Sequence, residues 1–160
     1  MISNAVLSDD RTHRYQLSRI WDDGLPKILF IGLNPSRADE SYNDLTITKC
    51  IEFAKRWECY GGIYFGNLYS FRTPYPEELI RNLSIAANPD TDTNLFEMAK
   101  YSHICVCAWG SWKFIDYRKR QVLKLLNGEV TTYCFGLTKD GSHKHPCRLG
   151  YKTPIVKYQP

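Results

Sequence analysis

The stretch KILFIGL, residues 27–33, is the part of the sequence from which the fold is deduced. Its nearly continuous apolar character is typical of a parallel strand that is buried on both faces. The polar turn Asn34-Pro35-Ser36 follows at once, and it cannot continue the strand. Three further apolar runs of strand length occur at residues 63–69, 103–108 and 131–137.

The segments between these runs have helical patterns. Residues 45–57 carry an apolar stripe at helical spacing, and Asp44 stands before them as a cap. Helices are also predicted at residues 90–101 and 117–126, and a short one begins at Pro76, where proline and acidic residues are favoured. Strands that alternate with helices imply a parallel sheet that is covered on both faces. We therefore predict an α/β fold, a three-layer sandwich with a mainly parallel four-stranded central sheet.

The ends of the chain add smaller elements to this plan. Residues 5–7 and 15–21 predict an N-terminal hairpin around the polar turn 8–14, and residues 153–158 form a short final segment. No internal repeat, low-complexity segment or long linker interrupts the sequence. The length suits one hydrophobic core, so we predict a single domain that spans residues 1–160.

The composition limits the function classes. No apolar run approaches the length of a membrane span and no secretory signal begins the sequence, so a cytoplasmic location is expected. The six cysteines form no CxxC pair, and Cys105, Cys107 and Cys134 lie in predicted strands, which favours buried reduced thiols. His143 and His145 lack a carboxylate partner at metal-ligand spacing, so no metal is expected. Neither a Walker loop nor a GxGxxG motif occurs, so a kinase or a dinucleotide-dependent enzyme is not expected. No cofactor is predicted.

Positive charge is concentrated near the C-terminus. Residues 1–112 hold eleven basic and fourteen acidic residues, whereas residues 113–160 hold ten basic and three acidic ones. This asymmetry predicts either a basic face that attracts phosphate groups or a solvated surface helix with a tail.

A polar cluster lies at or just after the carboxyl end of each of the four predicted central strands. The clusters are Asn34 through Arg37, Asn67 with Arg72, Trp109-Gly110-Ser111, and residues 139–149. The carboxyl ends of parallel strands meet at one edge of a sheet, where such folds bind ligands. An asparagine amide can read the edge of a nucleobase, and a histidine can stabilise developing negative charge. The four clusters therefore predict one binding site at this edge.

The same clusters resemble motifs of the uracil-DNA glycosylase superfamily. GLNPS, residues 32–36, is similar to the first motif of the mismatch-specific branch, and YFGNLYSFRTP, residues 64–74, resembles the strand whose asparagine holds uracil. Ala108 through Ser111 is similar to the strand and glycine turn before the second motif, and HPCRLG, residues 145–150, resembles that motif, HPSPLS. The motifs occur in the family's order, which implies a uracil-DNA-glycosylase-like fold.

The resemblance also implies roles for individual residues. Asn34 would orient the attacking water, Asn67 would hold the edge of the base, and His145 would stabilise the departing base anion. Leu149 would fill the gap in the base stack. No catalytic aspartate follows the glycine of the first motif, so activation of the water falls to Asn34, unless Asp44 folds back into the cleft.

A closer resemblance covers nearly the whole chain. The chain is identified as a member of the family catalogued as domain of unknown function 1643, on stretches that include residues 32–36, 53–57 and 136–141. Membership implies a fold more than a reaction, because one fold hosts many functions. Asp44-Leu45-Thr46 stands in place of that family's usual Asp-Pro-Thr, and Cys147-Arg148 stands in place of the Ser-Pro of the glycosylase motif.

Three functions remain open at this point. The leading hypothesis is a DNA glycosylase that hydrolyses the N-glycosidic bond of uracil or a modified base. The second is a non-catalytic protein that binds nucleic acid or a nucleotide in the same cleft. The third is a nucleotide-metabolising hydrolase or transferase with Asp44 or Asp140 as its base.

These hypotheses share one set of candidate residues. The expected catalytic residues are Asn34, Asp44 and His145. Contacts to the substrate are expected from the strand ends and turns, namely Gly32, Leu33, Pro35, Ser36, Thr46, Asn67, Tyr69, Arg72, Trp109 and Gly110. Contacts to the nucleic acid are expected from basic and neighbouring residues, namely Arg37, Lys139, His143, Lys144, Arg148 and Leu149.

Overall fold

The computed structural model describes residues 1–159 and has a mixed α/β fold built on one seven-stranded sheet. The strands are β1 (Ile2–Leu7), β2 (Arg14–Ile20), β3 (Lys27–Gly32), β4 (Gly62–Asn67), β5 (Ile104–Cys107), β6 (Thr131–Cys134) and β7 (Val156–Lys157). The α-helices are α1 (Leu45–Arg56), α2 (Pro76–Arg81), α3 (Pro89–Lys100) and α4 (Asp116–Leu126). A 3₁₀ helix, Pro146–Arg148, lies between β6 and β7.

The sheet has the strand order β1-β2-β4-β3-β5-β6-β7. Its four central strands β4, β3, β5 and β6 are parallel neighbours, as predicted. The predicted hairpin of β1 and β2 is also present, but β2 continues the sheet by pairing antiparallel with β4, and β7 pairs antiparallel with β6. The expected four-stranded sheet was therefore too small. The four parallel strands alone would leave the outer backbone groups of β4 and β6 without partners. The strands β2 and β7 pair with these groups.

Side chains along β3 alternate between two hydrophobic cores. Ile28 and Phe30 belong to the core beneath α1, whereas Leu29 and Ile31 belong to the core beneath α3 and α4. All four side chains are fully buried, which explains why this run shows no polar alternation. Helices therefore cover both faces of the sheet.

The start of α1 is held by Asp44. Its side chain accepts a hydrogen bond from the backbone N–H of Ile47 at 3.0 Å, which satisfies one of the free donors of the first turn. Lys55 and Arg56 lie in the last turn, where positive charge is favourable. The cap fixes the Asp44 carboxylate at the end of the loop that leaves β3.

The three strand cysteines are buried and free, as predicted. Burial raises the pKa of the Cys107 thiol well above its usual value, so this thiol stays protonated. Within residues 1–159, no helix is both long enough and apolar enough to cross a membrane.

Candidate functional site

A cavity of about 190 Å³ opens at the carboxyl ends of β3, β4 and β5. In the sheet, β3 lies between β4 and β5. The chain therefore continues from β3 to its neighbour on one side, β4, and later returns to its neighbour on the other side, β5. Such a reversal of strand order leaves a crevice in which α/β folds bind ligands. Nine of the residues predicted to form the site line this cavity, namely Gly32, Leu33, Asn34, Ser36, Asp44, Thr46, Asn67, Trp109 and His145.

The side-chain amide of Asn34 is held in one orientation. Its Nδ2 donates to the backbone carbonyls of Thr73 at 2.8 Å, Pro35 at 3.0 Å and Phe71 at 3.3 Å. Because all three neighbours are hydrogen-bond acceptors, the atom that faces them is the amide nitrogen, and both of its hydrogens are used in these bonds. Oδ1 makes no hydrogen bond within residues 1–159, so Asn34 presents only an acceptor to the cavity.

The amide of Asn67 is held the opposite way round. Its Oδ1 accepts a hydrogen bond from Nη2 of Arg14 at 3.1 Å, and this leaves Nδ2 as the polar atom available to the cavity. Gly32 lies beside that nitrogen, and a Cβ atom at this glycine would stand only 2.9 Å from it. Asn67 therefore presents a donor, and Gly32 provides the space for it.

Arg14 is a buried cation on the cavity wall. Its side chain is 3% exposed, and Nη1 donates to the carbonyl of Ala38 at 2.8 Å. Nε has no hydrogen-bond partner, and none of the salt bridges in residues 1–159 involves this guanidinium. Burial lowers the pKa of Arg14 to about 10, although the nearby charge of Asp44 opposes this change. The residue stays positively charged at neutral pH.

Asp44 serves the helix and the cavity at once. One carboxylate oxygen caps α1, as described above, and the other makes no hydrogen bond in the described part of the chain. The carboxylate lines the cavity, and its charge acts on both Arg14 and His145. The loop after β3 thus brings Asp44 back to the strand ends, which is the arrangement that the sequence left open.

His145 presents a neutral donor. Its Nδ1 accepts a hydrogen bond from the backbone N–H of Cys147 at 3.3 Å, so the proton of the neutral ring lies on Nε2. Burial and the charge of Arg148 lower the pKa of His145 below its usual value, while Asp44 opposes them. At neutral pH the ring is therefore uncharged, and Nε2–H is free to donate to a ligand.

A second cavity of about 510 Å³ adjoins the first, and Trp112 and His145 line both of them. Nε1 of Trp112 donates to the carbonyl of Trp109 at 2.8 Å, which fixes the ring between the two cavities. Gly110 lines the second cavity with a φ of +79°, a left-handed conformation that favours glycine. The other predicted residues in this wider groove are His143, Lys144, Arg148 and Leu149.

The remaining predicted residues lie outside both cavities. Pro35 is buried and contributes only its carbonyl to Asn34. Tyr69 is buried in the core beneath α3 and α4, where it packs against Phe114. Nη1 of Arg72 donates to the carbonyl of Arg11. The other two residues, Arg37 and Lys139, are exposed and line neither cavity.

Two residues of the groove are less accessible than the sequence suggested. The ring of His143 is 2% exposed and packs between Trp109 and Tyr158, with ring centroids 4.6 Å and 4.5 Å away. Leu149 is half-buried against the core beneath α1, and Lys49 donates to its carbonyl at 2.7 Å. The structure therefore leaves Lys144 and Arg148 as the cations of this groove.

Several residues that line the smaller cavity were outside the set of site residues expected from the sequence, namely Arg14, Ile47, Phe65, Thr73, Pro74, Pro76 and Trp112. Thr73 and Pro74 belong to the quoted YFGNLYSFRTP stretch, which was the available signal for them. Arg14 carried no signal, because it was placed in the turn before the predicted strand. The described residues contain no group of three His, Cys, Asp or Glu side chains that could hold a metal ion.

Comparison with protein-family models gives one match. The model described as "Protein of unknown function (DUF1643)" matches residues 14–147. The matched range contains every residue that lines the smaller cavity. No curated protein and no solved structure matches the chain.

Proposed function

The chain belongs to the DUF1643 family of proteins of unknown function, and we propose that it is a hydrolase that releases a keto-bearing nucleobase from DNA. The proposal includes kinship with the uracil-DNA glycosylase superfamily, whose motifs residues 32–36 and 145–150 resemble. The observation that carries it is the opposed orientation of two amides in one cavity. Asn34 offers an acceptor, and Asn67 offers a donor.

The polar atoms of the cavity complement one kind of base edge. Asn67 and His145 each provide an N–H donor, and Asn34 provides an acceptor. Uracil and thymine carry an N–H group between two carbonyl oxygens, which is the matching pattern. Cytosine places an amino group where one carbonyl would be, so a donor of the base would face a donor of the protein. An unpaired buried donor costs about 1–3 kcal/mol, which favours the keto base.

The size of the cavity also suits a single base. Its volume is about 190 Å³, which is smaller than the roughly 300–1,000 Å³ of sites that enclose whole drug-sized ligands. A base would therefore enter alone, with its sugar and phosphates outside. A base in a duplex reaches such a cavity only by leaving the stack, at a cost of a few kcal/mol.

The proposed reaction is hydrolysis of the bond between the base and the deoxyribose. The free oxygen of Asp44 takes a proton from water as the water oxygen bonds to C1′ of the sugar. The C1′–N bond breaks, and its electron pair passes to the base. Hydrogen bonds from Nε2 of His145 and Nδ2 of Asn67 stabilise the negative charge on the base carbonyl oxygens. The oxygen of Asn34 accepts from the N–H of the base, so the amide reads the base and does not position the water.

The adjoining groove offers a path for the DNA strand. Lys144 and Arg148 are its cations, and Trp112 separates it from the base cavity. Cations near a bound strand contact phosphates without reading sequence, and an aromatic ring can stack on a neighbouring base. The groove would therefore hold the backbone while the smaller cavity holds the extruded base.

A base-release assay with Asp44→Asn tests the mechanism. Asparagine caps a helix about as well as aspartate, so the melting temperature should stay close to that of the wild type. Release of uracil from single- and double-stranded oligonucleotides should slow by about 100-fold or more, because the base that activates water is gone. Asp9→Asn, a change at an exposed residue that lines neither cavity, serves as the matched control.

Each result of this assay has a distinct meaning. If the wild type releases no base from oligonucleotides that carry uracil or modified pyrimidines, the proposed hydrolase is wrong. Release at the wild-type rate by Asp44→Asn would keep the hydrolase but remove Asp44 from the reaction. His145→Ala should slow release as well, and full activity in that variant would contradict the role given to His145.

A non-catalytic binding protein is the second candidate. The hydrogen bonding of Asp44 favours this candidate. One carboxylate oxygen of Asp44 already caps α1, so only the other oxygen remains to activate water. Retention of an oligonucleotide that falls steeply with salt, without any base release, would support this candidate. A nucleotide-metabolising hydrolase would also depend on Asp44, because Asp140 is bonded to Thr138 and Ser142 in an exposed turn outside both cavities.

A further inference from the structure

We propose that Arg14 is the residue that sets the base specificity of the cavity, by fixing the Asn67 amide with its nitrogen toward the ligand. The inference rests on the proposed function, since it concerns how the same cavity tells a carbonyl from an amino group. Arg14 acts through Asn67, so it is a positioning residue and has no bond to the reacting atoms.

The hydrogen bonds of Arg14 define this role. The guanidinium spans two acceptors, the carbonyl of Ala38 at 2.8 Å and Oδ1 of Asn67 at 3.1 Å. If the amide turned over, Nδ2 would face Nη2 of Arg14, and two donors would meet with no acceptor between them. In the absence of the guanidinium, the terminal torsion of an asparagine has two broad minima, and both orientations become accessible. Arg14 therefore selects one of two amide orientations that are otherwise similar in energy.

Charge strengthens the same selection. Nδ2 of Asn67 donates from an amide whose oxygen is bonded to a buried cation, and hydrogen bonds in such a chain polarise one another. The groups that act on Arg14 are Asp44 and Asp39, which are negative, and Arg72 and Arg19, which are positive. These groups are two of each sign, and the positive charge that contacts the Asn67 amide is the guanidinium of Arg14 itself. This environment favours an electron-rich carbonyl oxygen over an amino group.

A purely structural role explains Arg14 poorly. Its Nε has no partner, and the whole side chain is 3% exposed, so the fold bears the cost of a buried and incompletely bonded cation. An apolar side chain of similar length would fill much of the same volume without that cost, and the carbonyl of Ala38 would lose one donor. Selectivity for a ligand and stability of the fold should therefore respond differently to the loss of Arg14.

Binding of free bases tests the inference without any catalytic step. Titration of free uracil and free cytosine into the full-length protein can be followed by tryptophan fluorescence, because Trp109 and Trp112 line the cavity. The wild type should prefer uracil over cytosine by about tenfold or more. In Arg14→Met this preference should fall by about tenfold, toward equal binding, while thermal denaturation shows a folded protein.

Two further variants make the test specific. Arg19→Met removes another buried guanidinium from the same strand, one that donates to Asn43 and to backbone carbonyls outside the cavity. It should leave the ratio of uracil to cytosine affinity unchanged. Arg14→Lys keeps a positive charge but lacks the planar fork that reaches two acceptors, so it should also lose selectivity. It provides the same measurement if Arg14→Met does not fold.

The outcomes separate this inference from the proposed function. Loss of the uracil preference in the folded Arg14 variants, with the preference intact in Arg19→Met, supports the inference. An unchanged preference in a folded Arg14 variant overturns the inference and leaves the base site standing. If the wild type binds neither base, the proposed base site is wrong and the role of Arg14 in it falls as well.

Discussion

Replacement of His143 by phenylalanine should reduce the loss of folding stability that the protein shows when the pH is lowered. The ring of His143 is buried between Trp109 and Tyr158, and its Nε2 has no hydrogen-bond partner. Burial, together with the charge of Lys119, lowers the pKa of His143 from its usual 6.5 to about 4. The native state therefore holds a neutral ring at pH values where the unfolded chain already binds a proton.

The magnitude follows from the difference between the two pKa values. A difference of about 2.5 units corresponds to about 3 kcal/mol, at about 1.36 kcal/mol for each unit. Above pH 7 the ring is neutral in both states, and the free energy of unfolding is unaffected. As the pH falls through 6.5, only the unfolded state takes up the proton, so stability declines until the native ring titrates near pH 4. Between pH 7.5 and pH 5 the loss is about 2 kcal/mol.

Urea denaturation of the wild type and His143→Phe at pH 7.5 and pH 5 measures this difference. His13 and His145 also have lowered pKa values, but both are present in both proteins and cancel in the comparison. The wild type should lose about 2 kcal/mol more than the variant on acidification. An equal loss in the two proteins would refute the account, since it would mean that His143 titrates normally. The proposed affinity for DNA should be the same in the variant and the wild type, because the buried ring does not reach a phosphate.

Two further substitutions test the geometry of the cavity and of a helix start. Gly32→Ala places a Cβ atom 2.9 Å from Nδ2 of Asn67 and 3.0 Å from the ring of Phe65. Uracil affinity should fall by about tenfold or more, and the fold should lose about 1–3 kcal/mol in urea denaturation; unchanged affinity would contradict the position of the amide. Asn88→Ala removes the capping box at the start of α3, where the Asn88 side chain accepts from the backbone N–H of Thr91. It should cost about 1 kcal/mol of stability and leave base release unchanged, and a loss of release at full stability would count against the site.

The parallel core of the sheet was predictable because its signal is local. β3 is buried on both faces, so the run at residues 27–33 shows no polar alternation, and the same holds for β5. The hairpin of β1 and β2 was also visible in the sequence, but the docking of β2 on β4 was not, since strand pairing depends on segments about 45 residues apart. The two residues of β7 are too short to give a pattern.

The candidate residues that lie at or after the carboxyl ends of strands could be predicted from the sequence. Asn34 follows β3, Asn67 is the last residue of β4, and His145 lies in the segment after β6, so the parallel arrangement brings all three to one edge. Arg14 was missed because the predicted strand began one residue later and left it in a turn. The burial of His143 was missed because its neighbours Trp109 and Tyr158 lie far from it in sequence.

The sequence by itself determined the α/β pattern, the parallel arrangement of the central strands and the edge at which polar residues gather. Only the tertiary structure decided that Asn34 offers an acceptor, that Asn67 offers a donor and that Asp44 turns back to the same cavity. The physical reason is that sequence patterns report on interactions within one segment, whereas these hydrogen bonds join distant segments. Periodicity records which side chains share a face within one segment, whereas a hydrogen bond requires two groups to meet within about 3 Å. For these residues the partners come from distant segments, and the packed fold alone brings them together.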